Sequence, residues 1–508
     1  MTITTKALLM LLLALLSQNV VACVMGAVYN LPIPFGIYAS GAAGALIVSF
    51  CVVAIVLRSP VAASGGGGTS ALARGALEIR LPQRIVAGMR WGSVFLLVLS
   101  IVAGFVGSTN PLVNFNMTFF WIIFTLGLTY LTVFIGDIYA WCNPWSTLGD
   151  ALDRHFPSLF RGMIRYPQQM GYYPALALYM ALIWIELFGF FQPRSLSLLL
   201  VVYACVNFAM AWLIGKSAWF RYGELFSVYF RLIGRIAPVA YEPAVGRQRG
   251  YVVRTRLPFA GLLKTNAEHI SLLVFVLFML SSTAFDGAHE TRPWVAIFWQ
   301  GIYPALAAHG ARNYTFWVAL YYAWQSAMLL LSPLFYLAIY LLLLWVAKIV
   351  ARSEIPLKEL ALRFAFTLVP IALVYNAAHY YGEFFSQGVL ILKMASDPFN
   401  MGWNLFGTDR WFNDPIVLDA ALVWHTQVAL ILVGHIVSVY LAHVEALKVF
   451  PKRRHAIYSQ LPMLALMVLL TTIGLWILSL PIAAGEIAAP PDASTVSVAA
   501  PVSTKFAA

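Results

Sequence analysis

Histidines and carboxylates set inside long apolar runs are the groups in this chain that could do chemistry. The run 418–450, LDAALVWHTQVALILVGHIVSVYLAHVEALKVF, carries His425, His435 and His443. It is long enough to cross a bilayer, which takes about 20 helical residues. Ionisable groups in such a span are costly, and they mark functional sites. Helical rise puts His435 roughly 15 Å below His425, and His443 roughly 12 Å further on. No two of them can therefore ligate one ion, and a metal site needs donors from other elements.

The chain offers such donors. His379 lies in YNAAHYYGEFF, Asp286, His289 and Glu290 lie in DGAHET, and Asp397 and Asp409 lie in the long stretch before 418. The expected metal ligands are His379, His425 and His435, with Asp286 and Glu290 as catalytic carboxylates. Imidazole with carboxylate suits a zinc-like divalent ion, which can turn a bound water into a nucleophile near neutral pH. One haem between His379 and His425 is an alternative. His443 reads as a structural group at a membrane edge. Glu186 and Asp137 read as buried carboxylates that could relay protons, or as hydrogen-bonded acids.

These groups need helices to hold them. The 508 residues are 61% hydrophobic and 10% charged, far from the roughly 25% charge of soluble domains. The apolar runs are continuous, which excludes a β-barrel and predicts an all-α, polytopic transmembrane bundle. Residues 1–22 read as a signal peptide or anchor, 23–483 as the bundle and 484–508 as a low-complexity disordered tail. Ten spans are expected near 35–57, 91–106, 117–140, 174–191, 196–214, 270–285, 327–350, 364–385, 418–450 and 461–482. The small residues SGAAGA (40–45) would let a neighbouring helix approach. GELFSVYFRLIGRIAP (223–238) reads as an amphipathic helix on the membrane surface. The run 315–350 is too long for one simple crossing, so part of it is expected to be re-entrant or interfacial.

The net charge of +12 reports topology rather than nucleic acid. With residues 24–34 outside, alternate loops hold 25 of the 32 lysines and arginines, the positive-inside pattern. That orientation fits a bacterial cytoplasmic membrane and puts His379 and His425 at similar depth in its outer half. Trp294, Trp299, Trp403 and Trp411 would form an interfacial belt or line a path for an apolar substrate. The four cysteines form no CxxC pair, so neither a disulfide framework nor a thiolate metal site is expected. Cys23 follows a possible lipoprotein-type cleavage point.

Several segments resemble bacterial integral membrane proteins of the fenitrothion hydrolase family: LPIP (31–34), NPWSTLGD (143–150), GELFSVYFRLIGRIAP, SSTAFDG (281–287), AAHYYGEFF (377–385), SDPFNMGWNLFGT (396–408) and GHIVSVYLAH (434–443). The resemblance runs in order over most of the chain. It implies hydrolysis of an organophosphorus triester at its phosphorus–aryloxide bond, with a small apolar substrate drawn from the lipid. It assigns no catalytic residue. No Walker loop, HExxH or GxSxG motif offers competing hydrolytic chemistry. Two other classes stay open: a transporter or metal-handling permease, and a cofactor-bearing assembly subunit with a membrane-protein partner.

Overall fold

In the computed structural model, the described residues are 34–57, 78–189, 192–243, 251–308, 313–450 and 452–480. The signal-like segment, Cys23, the glycine run at 65–68 and the tail lie outside them. Chain order gives α1 (Phe35–Val56), β1 (Glu78–Leu81), α2 (Gln83–Val106), α3 (Phe115–Ile135), α4 (Pro144–His155), α5 (Gln168–Phe188), α6 (Pro193–Ile214) and α7 (Leu225–Gly234). Strands β2 (Val239–Pro243) and β3 (Tyr251–Thr255) follow, then α8 (Ile270–His289), α9 (Tyr314–Val350), α10 (Leu357–His379), α11 (Tyr381–Gln387), α12 (Ala420–Val449) and α13 (Arg453–Ser479). Ten of these helices are long and apolar enough to cross a membrane: all except α4, α7 and α11. The chain is a multi-pass, all-α membrane protein with one small antiparallel sheet, ordered β1-β3-β2.

The spans pack in two groups. One comprises α1, α8, α9, α10, α12 and α13, and the other α2, α3, α5, α6 and the short α7, with α5 packed against α8. Helix α8 is apolar around nearly its whole circumference, the pattern of a helix with no solvent face. Leu273, Phe275, Val276 and Phe278 on it are fully buried.

Small polar residues lock the second group. Asn116 Nδ2 donates to the Pro193 carbonyl at 2.8 Å and to Ser197 Oγ at 3.2 Å, and Ser197 Oγ donates to the Ile101 carbonyl at 2.8 Å. This joins α2, α3 and α6 where lipid offers no alternative partner. Gly104 makes the junction possible, because a Cβ there would overlap Asn116, Ser197 and the Pro193 carbonyl.

At the opposite end of α2, Asp150 on α4 pairs with Arg90 and with Lys216, whose Nζ is 2.6 Å from Asp150 and 2.7 Å from Asp153. Burial pushes the Asp150 carboxyl up, but the Lys216 and Arg90 hydrogen bonds outweigh it and hold it below the usual carboxylate range. The resulting stabilisation is complete at neutral pH and is lost as pH falls through that lowered value.

Four sequence expectations change. Helix α7 does not lie on the surface: Val228, Phe230 and Ile233 are fully buried. Glu224 caps it by accepting from Phe226 N at 3.2 Å and Ser227 N at 2.7 Å. The run 314–350 is one continuous helix of 37 residues, about 55 Å long, rather than partly re-entrant. Span three ends at Gly136, whose φ of +85° turns the chain before Asp137. In the small-residue run of α1, Ala42 is buried while Gly41 and Gly44 face open space. Among the described cysteines, Cys51, Cys142 and Cys205 are free thiols.

Gly104→Val is expected to lower stability by about 1–3 kcal/mol through overpacking, read as thermal unfolding of the purified protein. Asp150→Asn is expected to flatten the acid limb of the stability profile, at and below about pH 4 where an unperturbed carboxylate titrates.

Candidate functional site

Three helix C-termini converge beside α8. Glu186 lies in the last turn of α5, Asp286 in the last turn of α8, and His379 ends α10. Helix α8 runs one turn further than the sequence suggests, so Asp286 and His289 belong to the helix and not to a loop. Their i,i+3 spacing then puts both on one face. At Tyr380 the chain breaks between α10 and α11, with φ −91° and ψ 10°. That break turns the Tyr380 hydroxyl back toward the carboxylates.

The side chains form a connected cluster. His379 Nε2 is 2.7 Å from Asp286 Oδ2, and the Tyr380 hydroxyl lies 2.7 Å from the same oxygen. That hydroxyl is also 3.3 Å from Glu186 Oε1. His289 Nε2 is 3.6 Å from Asp286 Oδ1. The His289 ring stacks on Phe285 with centroids 5.4 Å apart, which fixes its plane. The His379 ring meets Tyr380 edge-on at 4.7 Å. Gly287 faces the other ring nitrogen: a Cβ there would stand 3.6 Å from His379 Nδ1.

Electrostatics suit this set to cations and protons. Helix C-termini carry partial negative charge, and three of them meet here with two carboxylates. One Tyr380 proton faces two carboxyl oxygens, so a proton shared among Glu186, Tyr380, Asp286 and His379 completes the hydrogen bonding. One carboxylate and two imidazoles are the donor types that zinc takes. In this conformation the imidazoles bond the carboxylate itself, and among the described residues no group of three or more His, Cys, Asp or Glu is arranged to hold a metal ion.

A small pocket of about 50 Å³ adjoins the cluster, lined by Glu186, Tyr380, Asn376, Tyr179, Tyr229 and Ser282 among others. It has room for a water molecule or two. Asn376 Oδ1 is buried and has no hydrogen-bond partner among the described residues.

The other expected ligands lie elsewhere. His425 faces α1, with Nε2 3.2 Å from the Tyr38 hydroxyl and Nδ1 2.6 Å from the Ala421 carbonyl. Gln427, about 200° further round α12, is the residue that reaches α10, donating to the Ala378 carbonyl at 2.9 Å. Equal depth therefore does not bring His425 to His379, because azimuth separates them. His435 is buried, with Nδ1 2.8 Å from the Ile431 carbonyl. Its Nε2 has no partner among the described residues, and no cluster group bonds it.

Glu290 caps the end of α8, its backbone N–H donating to the Ala288 carbonyl. Asp397 accepts from Met401 N and Gly402 N and holds a loop. His443 is buried against Gln460 Oε1 at 3.2 Å. Asp137, at the far end of the bundle from Glu186, accepts from Ala140 N, and burial pushes its carboxyl up to about 6. Of the tryptophans, Trp299 is buried, Trp294 donates to Gln325 at 3.1 Å, and Trp403 and Trp411 are exposed.

The sequence reading missed Tyr380, which links the two carboxylates. The signal available was a tyrosine directly after the histidine of AAHYY. Comparison with known protein families, with curated proteins and with solved structures finds no match to this chain.

Tyr380→Phe removes that link without emptying the site. It is expected to cost about 1–3 kcal/mol of thermal stability, the range for a hydrogen bond to a charged group. Glu186→Gln in the Tyr380→Phe background is expected to add little further, because the bond it would lose is already gone.

Proposed function

We propose that this chain is an integral membrane hydrolase acting on an apolar organophosphorus triester of the fenitrothion type. The observation that carries the reading is the Glu186–Tyr380–Asp286–His379 cluster beside a small pocket inside a helical bundle. The family resemblance of the sequence supplies the substrate class. The distribution of basic loops supports a bacterial cytoplasmic membrane with this cluster in the half facing outside.

Asp286 orients the His379 imidazole through Nε2 and stabilises its protonated form. Tyr380 holds the Asp286 carboxylate in place. The remaining ring nitrogen takes a proton from water as the water oxygen bonds to phosphorus, and the phosphorus–aryloxide bond breaks to release nitrophenolate. This is general base catalysis, worth about 10²–10⁴-fold. No step is assigned to a zinc-like cation, because the His379 and His289 imidazoles are turned onto the Asp286 carboxylate itself.

A second reading has one observation in its favour. Buried acids joined by a hydroxyl also suit a proton-coupled permease, in which Glu186 and Asp286 exchange protons during transport. Both readings use the same cluster, and turnover separates them.

Washed membranes holding the protein are expected to release nitrophenol from fenitrothion. His379→Ala and Asp286→Asn are expected to lower the rate at least a hundredfold, and His425→Ala less than threefold. Inert membranes with the protein present, or full activity in His379→Ala, would overturn the hydrolase reading.

A further inference from the structure

A large apolar cavity is separate from the carboxylate cluster. It lies between α2, α3, α5, α6 and α7, with a volume of about 710 Å³, within the roughly 300–1,000 Å³ of sites for drug-sized ligands. Its walls are apolar side chains such as Leu97, Phe120, Phe124, Leu178 and Leu200. Leu96 on α2 and Leu131 on α3 line it and are also exposed on the bundle surface. Those helices are membrane spans, so the mouth opens toward lipid.

The inner wall leads to the cluster. Leu182, Leu225 and Phe226 line both this cavity and the small pocket that holds Glu186, Asn376 and Tyr380. An apolar chamber open to the bilayer thus shares a wall with a smaller pocket containing an amide oxygen that is unpartnered among the described residues. The oxygen accepts, and with the amide turned over its NH2 donates to an acceptor such as a phosphoryl oxygen.

We propose that the cavity binds a small lipid-soluble molecule that enters sideways from the bilayer between α2 and α3. Its apolar body fills the chamber, and its one polar end sits at Asn376, Tyr380 and Glu186. A phospholipid fits this arrangement less well. Its acyl chain ends in a methyl group, which gives Asn376, Tyr380 and Glu186 nothing to bond, and its headgroup stays at the interface. The inference deepens the hydrolase reading of the neighbouring cluster, and rests on it only for what happens to the polar end.

The test uses the full chain in lipid nanodiscs and a diethyl benzylphosphonate carrying a ring diazirine, whose phosphorus–carbon bond hydrolysis leaves intact. Photolabelling is expected to saturate and to concentrate in peptides containing residues 119–131, 178–185 and 225–226. It should fall at least tenfold in Ala181→Trp, which fills the chamber, and in Leu96→Trp, which blocks the mouth. Leu96 is exposed, so its variant is the readout where Ala181→Trp fails to fold. Asn376→Leu should weaken half-saturation severalfold while leaving the labelled peptides the same. Labelling that never saturates, that spreads over all lipid-facing helices, or that a phosphatidylcholine analogue displaces equally well overturns the proposal. Saturable labelling without nitrophenol release keeps this site and removes the hydrolase reading. Release without saturable labelling does the reverse.

Discussion

A carboxylate in the interior of a membrane bundle stays there only if its lone pairs are answered, and Asp286 sets the terms for everything around it. Leaving such a group unpaired in a low-dielectric interior costs several kcal/mol. Here one oxygen meets His379 Nε2 and the Tyr380 hydroxyl, both at 2.7 Å, and the other faces His289. The requirement fixes where α10 must end, because His379 is its last residue. It fixes the break at Tyr380, which turns the hydroxyl inward. It also fixes α8, since Asp286 can face α10 only if the helix continues past Phe285.

Lipid surrounds these helices and accepts no hydrogen bonds, so other polar residues that tie the spans together pair within the protein too. The Asn116–Ser197 junction and the Glu224 cap on α7 do so with backbone groups. These ties hold α2, α3, α6 and α7 around a chamber that side chains do not fill. Its apolar walls adjoin the pocket lined by Glu186, Asn376 and Tyr380.

Much of the fold was legible because bilayer thickness imposes length and composition on every span. All ten spans follow from continuous apolar runs, and errors fall at their ends. Those ends matter at the site: reading α8 as stopping at Phe285 made Asp286 and His289 loop residues. His379 and Asp286 were legible as costly groups in or beside apolar segments, and so was Glu186. The shared level of His379 and His425 along neighbouring helices was legible from the order of the spans, but azimuth between helices was not. That is why His425 was paired with His379 although its ring faces Tyr38 on α1. The surface assignment of 223–238 failed for a similar reason. An amphipathic stripe does not say whether its polar side meets water or, as at Glu224, buried partners such as Tyr203 at 2.5 Å.

The central claim is that His379 acts with Asp286 and not with His425. A double-mutant cycle measures this directly, using Asp286→Asn, His379→Gln and His425→Gln singly and in pairs, with unfolding of the purified protein followed in one detergent. Contacting residues show coupling of about 0.5–3 kcal/mol, and independent ones add within about 0.5 kcal/mol. The account predicts coupling of at least about 1 kcal/mol between positions 286 and 379, and additivity between 379 and 425. Additivity at 286 and 379, with coupling at 379 and 425, would contradict it.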